Sequence, residues 1–161
     1  MDNRTADHFE RLGLPRRFSV DLAALERNYL ARSRDVHPDF HSGNVDEVED
    51  AAAALNEAYA TLREPFRRAE HLLGLLGGSS ASEDKDLPPA FLMEMLELRE
   101  EIESAKGSPD RVTRIEADLL GRTKNLEQSL EALFVKKDLA VIRCELNCVR
   151  YLSNLLRDLH S

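Results

Sequence analysis

Apolar residues recur along most of the chain at intervals of three and four positions, the spacing that places side chains on one face of an α-helix. Glycine, proline and short polar residues interrupt this pattern at helix ends. The pattern predicts seven helices, over about 6–12, 22–36, 45–62, 65–76, 89–105, 109–134 and 138–159. No stretch alternates apolar and polar residues as a half-buried strand would. The sequence therefore predicts an all-α protein.

The polar run at 77–82, Gly-Gly-Ser-Ser-Ala-Ser, separates two groups of helices. Such small polar residues are typical of a flexible connection, and Pro88-Pro89 ends it. We therefore predict an N-terminal domain over 1–76, a linker over 77–88 and a C-terminal domain over 89–161. The last three helices are long and joined by short connections, which favours an antiparallel three-helix bundle.

Composition narrows the function. The chain has 161 residues, with 22 Lys plus Arg against 30 Asp plus Glu, a net charge of −8. That balance argues against a general nucleic-acid or anionic-membrane binder, which needs a basic surface. There is no apolar run long enough for a transmembrane helix, and the first residues lack the apolar core of a signal peptide. We expect a cytoplasmic protein that binds neither nucleic acid nor membrane.

The two cysteines, Cys144 and Cys148, lie four positions apart on the last predicted helix. Neighbours one helical turn apart rarely meet disulfide geometry, so we interpret them as reduced thiols. They could instead form a metal pair, but only His160 is near in sequence as a third ligand. We favour structural thiols, and the sequence indicates no cofactor.

His37-Pro38-Asp39 lies between two predicted helices and has several interpretations. Proline ends a helix and aspartate caps a turn, so the tripeptide can be a simple polar turn. The side chains of His37, Asp39 and His41 have the donor types of a zinc or iron site, as in a metal-dependent hydrolase. They could alternatively form an acid–base dyad. No adjacent nucleophile or second ligand cluster supports the enzyme interpretation.

The helix before this tripeptide carries a basic strip in an acidic chain. Arg27 and Arg34 are seven apart, with Arg32 at the flank. A helical projection places the first two opposite the apolar face, formed by Leu22, Leu25 and Tyr29. Such a strip is either a solvated helix face or a contact for an acidic partner.

The helix predicted over 89–105 has two apolar faces. At about 100° per residue, a core stripe falls within about 80°, comprising Phe91, Met95, Leu98, Ile102 and Ala105. Leu92, Met93 and Leu96 fall at about 100° to 200° from Phe91, and the acidic residues Glu97 and Glu100 lie on or beside that second face. A helix of a three-helix bundle needs only one apolar face. The second therefore indicates a protein-binding surface, or else a face covered by the N-terminal domain.

A short helix, a helix of about fifteen residues, His-Pro-Asp and a further helix resemble a J-domain. The resemblance extends along nearly the whole chain, through residues 8–15, 55–63 and 68–73. Most specific is Phe-Leu-Met-Glu-Met-Leu-Glu-Leu-Arg-Glu-Glu at 91–101. Together these segments resemble the HscB family, J-type co-chaperones of bacterial iron–sulfur cluster assembly. Phe40 departs from the pattern, because the family often carries a basic residue there.

This resemblance implies two binding sites and no enzymatic activity of the chain's own. The first would engage a heat-shock-70-class chaperone (HscA-like) and stimulate its ATP hydrolysis, through His37, Pro38, Asp39, Arg27, Arg32 and Arg34. The second would bind an iron–sulfur scaffold protein (IscU-like), through Leu92, Met93, Leu96, Glu97, Glu100 and Tyr151. It implies a cytoplasmic location in a bacterium. A J-domain co-chaperone with a different client is the alternative from the same class.

Overall fold

The computed structural model describes residues 6–37 and 45–161, and within them the chain is helical without strands. The helices are α1 (His8–Arg11), α2 (Leu22–Asp35), α3 (Val45–Arg63), α4 (Pro65–Leu75), α5 (Pro89–Ala105), α6 (Pro109–Lys136) and α7 (Leu139–Leu159). The all-α prediction is confirmed. The chain divides into two compact units, residues 1–72 and 73–161, with the division inside α4.

Helix starts follow the expected chemistry. The carboxylate of Asp21 accepts hydrogen bonds from the backbone N–H groups of Ala23 and Ala24, as a capping residue should. Proline is the first residue of α4, α5 and α6, where its missing N–H costs nothing. The predicted ends differ from the observed ones by at most a few residues. The largest differences are two residues: α1 begins at His8, and α6 continues to Lys136 and ends where Lys137 adopts a left-handed conformation.

The first unit packs α1 and α2 against α3. Its core is apolar and includes Phe9, Leu12, Phe18, Leu25, Leu55, Ala58, Leu62, Ala69 and Leu72. The ring of Tyr29 on α2 stacks against the ring of Tyr59 on α3, with centroids 4.1 Å apart. The prediction that Leu22 shares the buried face is wrong. Its side chain is 56% exposed, because it occupies the first position of α2 and burial begins one turn later at Leu25.

The second unit is a three-helix bundle of antiparallel neighbours, as predicted. Between α5 and α6, Glu94 pairs with Arg122 and Ser104 pairs with Arg111. Residue numbers therefore rise along α5 where they fall along α6, which makes the two helices antiparallel. Ser129 with Glu145, and Glu116 with His160, give the same relation for α6 and α7. The core draws on all three helices: Met95, Leu98, Ile102, Ala105, Ile115, Leu119, Leu152, Leu155 and Leu159.

The polar segment before α5 differs from the flexible run that its composition suggests. Arg143 of α7 is 1% exposed, and its guanidinium donates to the Ser79 carbonyl at 3.1 Å and to Oδ1 of Asn147. The side-chain amide of Asn147 donates to the Asp86 carbonyl at 2.9 Å. Two buried polar side chains of α7 therefore fix both ends of this segment. The division into a domain, a linker over 77–88 and a second domain stays a prediction.

Candidate protein-binding surfaces

His37 lies two residues beyond the end of α2, after the capping residue Val36, and its side chain is exposed. Its backbone N–H donates to the Arg34 carbonyl at 3.4 Å, which extends the last turn of the helix. Pro38, Asp39, Phe40 and His41 lie outside the described residues. The metal-site interpretation of this segment is therefore untested. Within the described ranges no three His, Cys, Asp or Glu side chains are grouped to hold a metal ion.

Arg27 and Arg34 extend from the solvent side of α2, where both are exposed. No described side chain forms an ion pair or hydrogen bond with either guanidinium. Leu30 lies between them in sequence, and its side chain is 54% exposed. This face of α2 therefore combines two available positive charges with an exposed apolar group.

Arg32 has a structural contact that the sequence did not suggest. Its Nη1 donates to the backbone carbonyls of Glu10, at 3.3 Å, and Arg11. These carbonyls belong to the last turn of α1, where helix carbonyls lack partners and carry partial negative charge. Gly13 makes the approach possible, because a Cβ there would lie 2.6 Å from Nη2 of Arg32. The guanidinium of Arg32 is thus engaged within the N-terminal unit.

The two apolar faces predicted for α5 are present. Met95, Leu98, Ile102 and Ala105 are buried on one side. On the other side Leu92, Met93 and Leu96 are 39%, 66% and 52% exposed, and Glu97 and Glu100 are exposed beside them. We call these five residues the α5 surface. An acid-rimmed group of exposed Leu and Met side chains is typical of a protein-binding site.

Tyr151 of α7 lies against the flank of α5 next to this surface. Its ring meets Phe91 edge-on, with centroids 6.2 Å apart. The guanidinium of Arg99 lies 5.6 Å from the ring centroid, and its Nη2 donates to the tyrosine hydroxyl at 3.3 Å. On the opposite flank, Arg122 of α6 pairs with Glu94 at 2.8 Å. The structure therefore brings Tyr151 to the edge of α5 that carries Leu92 and Leu96. The spacing of residues in the sequence did not indicate Arg99, which donates a hydrogen bond to the Tyr151 hydroxyl.

The two cysteines have structural surroundings. Cys148 is buried and Cys144 half-buried, and neither forms a disulfide. Burial raises the pKa of both thiols, to about 12 for Cys148. A thiol with a raised pKa is protonated at neutral pH and is therefore a poor nucleophile. These two side chains therefore contribute to packing.

Comparison with known proteins shows which family has this architecture. Residues 87–160 match the family model described as the HSCB C-terminal oligomerisation domain. The co-chaperone protein HscB homolog of Chromobacterium violaceum is 37% identical over 131 residues, which cover 78% of this chain and 75% of that protein. The homolog of Ralstonia nicotianae is 38% identical over 140 residues, 83% and 80% of the two chains.

The crystal structure of human co-chaperone protein HscB superposes with a TM-score of 0.88 at 28% identity, covering 98% of this chain and 82% of that one. Within the described ranges no helix is long and apolar enough to cross a bilayer. A J-domain followed by a three-helix bundle defines a J-type co-chaperone. The chain belongs to the HscB family of that class.

Proposed function

We propose that this protein delivers an iron–sulfur scaffold protein of the IscU type to a dedicated heat-shock-70-class chaperone of the HscA type in the bacterial cytoplasm. The α5 surface and Tyr151 bind the scaffold. His37-Pro38-Asp39, with Arg27 and Arg34, engages the chaperone and stimulates its ATP hydrolysis. The co-chaperone itself makes and breaks no bonds.

The observation that carries this proposal is the α5 surface. Three large apolar side chains are exposed on one side of α5 while its other side builds the bundle core, so packing within the second unit does not explain them. The surface also lies inside the region that matches the HscB family model. Membership of that family supports a scaffold client over a client of another pathway.

The two proposed sites differ in chemistry, and each suits a different kind of partner. The α2 face is basic and suits an acidic surface, whereas the α5 surface is apolar with an acidic rim. Carrying both on one chain raises the effective concentration of the scaffold at the chaperone without any new contact. Stimulated ATP hydrolysis then couples scaffold capture to cluster assembly or transfer.

ATPase stimulation tests the proposal. We expect the wild-type protein to accelerate ATP hydrolysis by the HscA-type chaperone of the same organism, and His37→Gln to abolish this. Because His37 lies in the other unit, the variant should bind the IscU-type scaffold with wild-type affinity. Stimulation that persists in the His37 variant, or wild-type protein that does not stimulate, would refute the proposal.

A further inference from the structure

The exposed face of α2 contains a leucine where charge alone would be expected. Leu30 follows Arg27 by three positions and precedes Arg34 by four, so all three side chains lie within about 60° around the helix. Leu30 is 54% exposed, and neither guanidinium is paired with a described side chain. Glu26 borders this group on one side. We call Arg27, Leu30 and Arg34 the α2 strip.

We propose that Leu30 is an apolar anchor of the chaperone contact, and that it inserts into an apolar recess within the chaperone's acidic docking surface. This inference rests on the proposed function. Two unpaired guanidinium groups select an acidic partner surface by charge complementarity. Their aliphatic stems and Leu30 form a continuous apolar area that gains free energy once the partner excludes water.

The two kinds of contact respond differently to salt. Coulombic attraction between exposed charges is screened as ionic strength rises, whereas burial of an apolar side chain is not. The arginines should therefore set the association rate and its salt dependence, and Leu30 the lifetime of the complex. Leu30 would also make the contact selective for a chaperone that has a matching recess.

Leu22 provides a matched control. It is also a leucine of α2, with 56% of its side chain exposed, but lies about 80° around the helix and two turns away from Leu30. Exposed single leucines are common and need no function, so Leu22 represents the outcome without a role. Both leucines would be replaced by glutamine, which keeps helix propensity.

The experiment measures the concentration of full-length protein that gives half-maximal stimulation of the chaperone's ATPase, at about 50 and 500 mM salt. We expect Leu30→Gln to raise this concentration about fivefold at both, the effect of losing burial of about half a leucine side chain. Leu22→Gln should match wild type. Arg27→Gln should raise the half-maximal concentration at low salt. The ratio of its half-maximal concentration to that of wild type should be smaller at high salt. Urea unfolding should show that Leu30→Gln folds as stably as Leu22→Gln.

An equal effect of Leu30→Gln and Leu22→Gln would overturn the inference while leaving the proposed function standing. A Leu30→Gln effect that disappears at high salt would overturn it too, because the residue would then act through the neighbouring charges. Failure of the wild-type protein to stimulate would remove the proposed function and this inference together.

Discussion

At the scale of single residues, position and contacts decide what an arginine does. Arg27 and Arg34 extend from α2 without a described partner, whereas Arg32, two residues before Arg34, binds the terminal carbonyls of α1. The number of charged residues in the helix does not distinguish these three arginines. Their surroundings engage Arg32 with α1 and leave the guanidinium groups of Arg27 and Arg34 exposed without a described partner.

Arg32 and Gly13 should therefore be coupled in stability. We expect Arg32→Met to lower the free energy of unfolding by about 1 kcal/mol, since it removes partly exposed charged hydrogen bonds. Gly13→Ala should cost about 2 kcal/mol, because Gly13 has φ of +65° and its new Cβ would collide with Arg32. In the Arg32→Met background only the backbone strain remains, so Gly13→Ala should cost less.

Wild type, Arg32→Met, Gly13→Ala and the double variant form a double-mutant cycle. Urea unfolding of these four proteins measures the coupling free energy between the two residues. Arg27→Met is the matched control and should leave the unfolding free energy within about 0.5 kcal/mol of wild type. Additive effects of the Arg32 and Gly13 substitutions would contradict the contact between them.

At the scale of helices, α5 has one face that packs in the bundle core and a second, exposed face that we propose binds the scaffold. We expect Leu92→Ser with Leu96→Ser to abolish scaffold binding and to change the unfolding free energy little, since both side chains are exposed. Ile102→Ala, on the buried face of the same helix, should cost about 2–4 kcal/mol of stability. Isothermal titration with the IscU-type scaffold and urea unfolding measure the two properties.

Leu120→Ser is the matched control for this pair, because Leu120 of α6 is 50% exposed but lies outside the α5 surface. It should bind the scaffold like wild type. If the Leu92 and Leu96 double variant also bound normally, the α5 surface would not be the scaffold site.

Local rules predicted the helices well, because their ends are set by nearby residues such as Asp21, Pro65 and Pro109. The second face of α5 could also be read from the sequence, since three exposed apolar residues break a simple helical pattern. Arg143 could not. A charged residue within a helix normally faces solvent, and its burial depends on carbonyl groups of the 79–86 segment, which is more than fifty residues away.

At the scale of the whole molecule, the net charge of −8 conceals two different surfaces. The α2 strip is basic and the α5 surface is apolar with acidic edges, so each suits its own partner. The proposed delivery of one partner to the other requires both surfaces on the same chain. This requirement distinguishes a tethering co-chaperone from a protein whose two units act separately.

Mixing two single-site variants tests that requirement. His37→Gln should bind scaffold without stimulating the chaperone, and the Leu92→Ser with Leu96→Ser variant should stimulate without binding scaffold. At micromolar scaffold, we expect wild-type protein to give scaffold-enhanced ATP hydrolysis and an equal mixture of the variants to give none, because tethering supplies an effective concentration of about millimolar. Wild-type protein mixed with either variant serves as the control for interference. Full scaffold-enhanced hydrolysis by the mixture would show that the two surfaces act from separate chains.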